Sequence, residues 1–261
     1  MKTILLTNDD GFHAPGIKYL YDALSPRYNV VVAAPLKEQS GVGHTFTFMR
    51  PLTCRTAGAG DQMPGYIIDG SPADCVKFAI STLLPQRPDI VVSGINNGDN
   101  SGIASFYSGT VAAAREGAFY GIPSFAFSMF DRDNPHTEQY AEMTPFLIEE
   151  ILEAAGNAID KRVFYNINFP PCSPDESRGF KVTWQSLANY EDSYKKISGD
   201  SNSVDGIYHV YGDRPKIEPS NSFDARAVLN NYIAITPLSY DPTAQHIMPY
   251  LHKHLEENGG D

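Results

Sequence analysis

Four short apolar runs, Ile4-Leu5-Leu6, Val30-Val31-Val32-Ala33-Ala34, Ile90-Val91-Val92 and Ser124-Phe125-Ala126-Phe127, lack any alternation between apolar and polar residues. Successive side chains of a strand point to opposite faces, so a strand with one wet face alternates. A run that does not alternate fits a strand covered on both faces, as in the interior of a parallel sheet. The intervening segments have helical spacing. Ile17, Leu20, Tyr21 and Leu24 recur after Pro15-Gly16 and stop at Ser25-Pro26, which completes a βαβ unit.

Three further helices are predicted. One covers about Ala73 to Leu84, with Cys75, Val76, Ala79 and Leu83 as an apolar stripe before Pro85. An Ala-rich one runs from Thr110 through Tyr120 and ends at Gly121-Ile122-Pro123. The last lies between about Tyr140 and Ala155, with Thr144-Pro145 as an alternative start, and the strand Val163 to Phe169 follows it. Strands and helices alternating in this way give a doubly wound α/β domain over residues 1–170. Residues 171–261 read differently, as a β-rich extension with a C-terminal helix: polar Gly/Ser/Asp/Asn stretches are mixed with the β-like segments Lys181–Trp184 and Tyr232–Thr236.

A chain of 261 residues, 42% of them apolar, can bury a large core. With 31 acids against 20 bases and a net charge of −11, it would repel a nucleic-acid duplex, and no Lys/Arg run offsets this. The apolar stretch at Ile4–Leu6 is too short for a signal peptide or a membrane span, so a soluble cytoplasmic protein is expected. Cys54, Cys75 and Cys172 are odd in number and form no CxxC, which reads as buried thiols rather than a disulfide framework or a zinc site.

Ligands of open α/β sheets bind outside the carboxyl ends of the strands. Four strand-end loops are unusually polar: Thr7-Asn8-Asp9-Asp10-Gly11, Glu38-Gln39-Ser40-Gly41, Ser93-Gly94-Ile95-Asn96-Asn97-Gly98-Asp99-Asn100, and Tyr107-Ser108-Gly109-Thr110. Adjacent carboxylates at a strand end raise one another's pKa, a conflict that a divalent cation removes. Asn and Ser oxygens nearby suit a hard ion such as Mg²⁺ or Mn²⁺. The competing reading is that Asp9 and Asp10 form a turn and cap the first helix. Ser108-Gly109-Thr110 at a helix start can cradle a phosphate, although a plain N-cap explains the same residues. His13, beside the acidic loop, is a candidate proton donor to a leaving alkoxide, with a solvent-facing or packed histidine as the simpler account, and His44 has the same ambiguity.

The order of these motifs resembles the SurE survival-protein nucleotidases. The resembling residues are Asn8-Asp9-Asp10-Gly11 with Ala14-Pro15-Gly16, Gln39-Ser40-Gly41, Gly70–Val76, Pro88–Asn96 and Tyr107–Val111, and near the C-terminus Asp224 and Ile235-Thr236-Pro237-Leu238. Ser71 stands where the family usually has Thr, and Phe223-Asp224-Ala225-Arg226 follows the family's Thr-Asp-Phe pattern loosely. The resemblance implies a Rossmann-like core and one divalent metal ion per subunit, Mg²⁺ or Mn²⁺, held by Asp9, Asp10, Ser40 and Asn96. It implies a phosphoric monoester hydrolase acting on nucleoside 5′- or 3′-monophosphates, with a side activity on polyphosphate. It also implies a homodimer or homotetramer, with residues 171–261 as an oligomerisation region that partly exchanges between subunits.

On this reading Asp9, Asp10 and Asn96 are the catalytic residues. Asn96, Ser108, Thr110 and the backbone N–H of Gly109 hold the phosphate. Water attack and attack by an Asp remain rival routes. A receiver-like regulatory protein is the alternative, because it too binds Mg²⁺ through an acidic pair after the first strand. It would need a phosphoacceptor Asp where this chain has Ser93-Gly94-Ile95-Asn96. A dinucleotide-binding dehydrogenase is disfavoured, since Asp-Asp-Gly replaces GxGxxG after the first strand.

Overall fold

The computed structural model describes residues 1–156, 160–189, 191–200, 203–213 and 217–257. Strand β1 (Thr3–Thr7) is followed by helix α1 (Pro15–Leu24), β2 (Asn29–Pro35), a long loop, and the short strands β3 (Cys54–Thr56) and β4 (Tyr66–Ile68). Helix α2 (Pro72–Phe78) continues as a π-helical turn, Ala79–Leu83, closed by the Leu84 N–H on the Ala79 carbonyl at 2.9 Å. Then come β5 (Ile90–Asn96), α3 (Ala104–Tyr107), α4 (Gly109–Phe119), β6 (Ser124–Met129), α5 (Thr137–Ala155) and β7 (Val163–Phe169). The remainder holds β8 (Phe180–Val182), the hairpin β9 (Glu191–Ser198) and β10 (Ile207–Asp213), α6 (Asp224–Leu229), β11 (Ile233–Ser239) and α7 (Met248–His252).

The fold is α/β. Nine strands form one mostly parallel sheet in the order β3-β4-β2-β1-β5-β6-β7-β11-β8, and β9 and β10 pair antiparallel in a separate two-stranded sheet. Strands β2, β1, β5, β6 and β7 run parallel, whereas β11 joins β7 antiparallel. The β-like segments read in the C-terminal region thus complete the main sheet as β8 and β11, while Trp184 lies just outside a strand, bridged to Phe223.

The non-alternating runs are covered on both faces. Ile4 and Leu6 of β1 pack with Ile17, Leu20 and Leu24 of α1 and with Leu147, Ile148 and Ile151 of α5. Leu5, between them, packs on the other face with Cys75 and Val76 of α2 and Ala113 of α4. The alternative start of the fourth helix at Thr144-Pro145 is not realised, because α5 begins at Thr137 and runs through the proline. Pro145 has no N–H for the carbonyl of Ala141, and the Thr144 hydroxyl donates to that carbonyl instead, at 2.7 Å. Cys75 is buried as expected, Cys172 is partly buried, and Cys54 lies exposed on the edge strand β3, where few neighbours cover it.

Candidate active site

From β1 the chain moves outward to β2 on one side and later returns to β5 on the other, so the carboxyl ends of β1 and β5 sit side by side with connections that diverge. This topological switch point opens a crevice at the sheet edge. The Asp9-Asp10 loop leaves β1 there, and Asn96 is the last residue of β5. The buried Asn8 side chain donates to the Gly11 carbonyl at 2.8 Å and holds the loop in a tight turn. Gly16, at the start of α1, touches β5: a Cβ on it would stand 2.0 Å from the Ile95 carbonyl oxygen.

Asp9 is buried, and the Gln39 N–H donates to its backbone carbonyl at 2.7 Å. Thr110, fully buried in the first turn of α4, donates its hydroxyl to Asp9 Oδ1, and its backbone N–H also bonds that carboxylate. The same hydroxyl oxygen lies 3.4 Å from Asn96 Oδ1, so Thr110 sits between the two. The Asn96 amide donates to the Gly98 carbonyl at 2.7 Å, so its carbonyl oxygen is the atom that faces Thr110. Gly109 lets the helix start this close. A Cβ there would be 2.8 Å from Asp9 Cβ and 3.1 Å from Asp9 Oδ2, nearer than real Cβ atoms approach a neighbouring carbon. Ser108 caps α4 by accepting the Val111 N–H at 3.1 Å, and this leaves its hydroxyl proton available to a ligand.

Burial, with the Asp10 charge second, pushes the Asp9 carboxyl up to about 7. Asp10 is also raised, first by burial and then by Glu38, against the Asn97 N–H at 3.0 Å and the Arg132 charge. Neither acid caps α1, whose N-cap is Ala14 with no side-chain bond, so the capping alternative does not hold here.

The crevice is a cleft of about 590 Å³, lined by Asp9, Ser40, Asn96, Tyr107, Ser108 and Arg132 among others. Asp10 faces an adjoining hollow of about 260 Å³ that shares Asn97 with the cleft. Ser40 is exposed on the cleft wall, its hydroxyl donated to Glu38 at 2.6 Å. His13 lies elsewhere, 3.3 Å from Asp61, and His44 is bound to the buried Glu116 at 2.8 Å. Sequence reasoning missed Arg132, in the turn after β6, and Asp192 and Val210 of the hairpin, all of which line the cleft. The strand-end rule would have found Arg132 had it been applied to β6. The hairpin residues carry no local signal.

Among the described residues no group of three or more His, Cys, Asp or Glu side chains is arranged for a metal. A cation here would rest on two carboxylates and neutral oxygens. The donor set of Asp9, Asp10, Asn96 and Ser40 is all oxygen and suits a hard divalent ion. A buried carboxylate whose charge is opposed by burial and by a second acid is the kind of group such an ion relieves, so the residues fit.

Residues 4–192 match the sequence model of the family described as Survival protein SurE. Over 254 residues the chain is 37% identical to the 5′-nucleotidase SurE of Thermosipho africanus, with 97% of this chain and 98% of that protein covered. Over 259 residues it is 38% identical to the 5′-nucleotidase SurE of Aquifex aeolicus, covering 99% and 100%. The crystal structure of the SurE protein from Aquifex aeolicus shares the fold with a TM-score of 0.82 at 38% identity, over 97% of this chain and 99% of that one. Likeness that runs the length of the chain, in sequence and in fold, accounts for the acidic loop, the helix start against it and the strand order together: the chain belongs to the SurE family.

Proposed function

We propose that the protein is a divalent-metal-dependent phosphomonoester hydrolase acting on nucleoside monophosphates, with the 5′ position favoured by the names of its relatives. The observation that carries this reading is the convergence of a buried carboxylate and a helix N-terminus on one point of the switch-point cleft. Cation-binding acids and anion-binding N–H groups side by side suit a metal–phosphate pair. Asp9, Asp10, Asn96 and Ser40 would hold one Mg²⁺ or Mn²⁺ per subunit. Bound there, the ion supplies Lewis acidity toward the phosphoryl oxygen and a lowered pKa for the attacking water.

The chain's own groups do the rest. Thr110 fixes Asp9 through its hydroxyl and backbone N–H, so its effect on the phosphate runs through the carboxylate. The Ser108 hydroxyl, the Gly109 N–H and Asn96 hold the phosphate as charge moves toward the leaving oxygen. Asp9 is the member of the acidic pair that lines the cleft, so both routes to phosphorus involve it, either deprotonating water or attacking directly. Trapping with hydroxylamine separates them, since only direct attack leaves an acyl phosphate to trap.

The wider reading adds a side activity on polyphosphate, a cytoplasmic location, and a homodimer or homotetramer built in part through residues 171–261. No described helix is long and apolar enough to cross a membrane. The test is phosphate release from nucleoside 5′- and 3′-monophosphates, polyphosphate and an aryl phosphate with Mg²⁺, Mn²⁺ or EDTA. Metal-dependent release from the 5′-monophosphates is expected. No release under any metal would return the protein to the metal-binding regulatory alternative.

A further inference from the structure

Among the described residues that line the cleft, Arg132 is the only cationic side chain, and it shares the wall with the acids Asp9, Asp99 and Asp192. The backbone next to it is held by hydrogen bonds. Arg132 lies in the turn after β6, and the next residue, Asp133, is bound to Asn97 twice: its N–H donates to Asn97 Oδ1 at 2.7 Å, and its Oδ1 accepts from Asn97 Nδ2 at 3.1 Å. Asn97 in turn donates its backbone N–H to Asp10 at 3.0 Å. The chain Asp133–Asn97–Asp10 moors the arginine to the acidic loop. The guanidinium stem reaches over Gly98, where the position of a missing Cβ is 3.8 Å from Arg132 Nε and 3.8 Å from Asn96 Nδ2. Arg132 and the Asn96 amide therefore both lie against Gly98, and both line the same cleft. It is exposed, and among the described residues it makes no ion pair.

Two carboxylates cancel the charge of one divalent ion and leave none to offset a phosphate dianion. Neutral donors soften that deficit without cancelling it, whereas a guanidinium matches two phosphate oxygens at once. We propose that Arg132 receives the phosphate of the substrate and supplies the positive charge that the metal and its two carboxylates leave missing. The assignment rests on the phosphomonoesterase reading of the same cleft, and makes Arg132 a determinant of affinity for doubly charged phosphate.

The experiment is a calorimetric titration of inorganic phosphate into the full-length protein with saturating Mg²⁺ or Mn²⁺, for wild type, Arg132→Ala and Arg132→Lys. KM for a nucleoside 5′-monophosphate and the metal-induced rise in melting temperature are measured in parallel. Arg132→Ala should weaken phosphate binding and raise KM by about tenfold or more, the scale of a lost charge-assisted hydrogen bond, with the metal-induced rise kept and Arg132→Lys intermediate. Phosphate binding within about twofold of wild type in Arg132→Ala would overturn the assignment. So would a parallel loss of the metal-induced rise, because the arginine would then be acting through Asp10. If wild type binds phosphate through Arg132 yet hydrolyses no ester, the assignment stands and the hydrolase reading falls.

Discussion

Around the switch point polar side chains are buried, some of them paired as Thr110 is with Asp9 and others, such as the Ser93 hydroxyl, without a partner, whereas from β8 onward large apolar side chains stand in solvent. Thr110 is 0% exposed and Asp9 3%, while Val182 is 71%, Trp184 74% and Tyr250 74% exposed. A soluble monomer rarely leaves so many large apolar groups uncovered, and such surfaces are where chains associate. The contrast separates two kinds of unfinished structure. The cleft and its adjoining hollow are incomplete electrostatically, each lined by an acid whose charge burial opposes. The C-terminal surface is incomplete hydrophobically, as expected if a second subunit covers it.

The largest effect should come from the first kind. Asp9→Asn is expected to lower turnover about a thousandfold at saturating metal, the loss of several kcal/mol of stabilisation of developing charge. Near wild-type phosphate release would remove Asp9 from the reaction. The same variant should raise stability in the metal-free protein. The Asp9 carboxyl is raised from 3.8 to about 7, so the folded state keeps a proton that the unfolded chain releases. Stability linked to this group is therefore present below about pH 4 and lost as pH rises through about 7. Asp9→Asn escapes that loss, and with EDTA at about pH 8 it should be more stable than wild type by on the order of 1–4 kcal/mol, with no such gain at about pH 4. Denaturant melts at the two pH values check the sign.

Gly109→Ala comes next. Its Cβ would stand 2.8 Å from Asp9 Cβ and 3.0 Å from Pro72 Cγ, so the start of α4 must move away from the acid. A displacement of about 1 Å at a reacting group is enough for a loss of roughly a hundredfold in kcat. An unchanged kcat would show that the closeness of α4 to Asp9 does no catalytic service. Gly109 also shows what sequence alone conveys. Its place in Ser108-Gly109-Thr110 marks a helix start and a candidate cradle, but the contact with Asp9 joins residues a hundred positions apart and depends on how α4 docks across β1 and β5. The strands β1, β2, β5, β6 and β7 and the helices α1, α2, α4 and α5 were legible because non-alternating apolar runs and helical spacing are local patterns, whereas β3, β4, α3, α6 and the hairpin of β9 and β10 carry no such pattern and were not read. Asp9, Asn96, Ser108 and Ser40 on the cleft wall were legible because they sit at strand and helix ends. That Asp10 faces a separate hollow, that Thr110 is engaged by Asp9, and that Arg132 and the hairpin reach the cleft are consequences of packing with no sequence period.

A smaller effect tests the C-terminal surface. Leu251→Glu with Leu255→Glu places two charges on side chains that are already 49% and 65% exposed, so an isolated subunit should tolerate them within about 0.5 kcal/mol. If the surface is covered by another subunit, the pair should shift the assembly toward monomer in analytical ultracentrifugation while the metal-induced rise in melting temperature persists. An unchanged sedimentation profile would mean that this part of the surface lies outside the subunit contact.

The smallest expected effect is at His13, and it bears on where the cleft ends. His13 follows Asp10 by only three residues, close enough in sequence to invite a role as proton donor. In the structure its Nε2 is 3.3 Å from Asp61 Oδ1, and Asp61 also binds Arg55 at 2.9 Å, so the imidazole belongs to a surface ion cluster on the loop between β3 and β4. It lines neither the main cleft nor the hollow of Asp10. A proton donor must come within hydrogen-bond reach of the leaving oxygen, directly or through one water, and a ring held by Asp61 outside the cleft does not meet that condition. His13→Ala should therefore keep kcat within about twofold of wild type from about pH 6 to 9. A lost alkaline limb in the variant's pH–rate profile would instead make the Asp61 loop part of the reacting surface, and the line between buried chemistry and exposed periphery would have to be redrawn through β3 and β4.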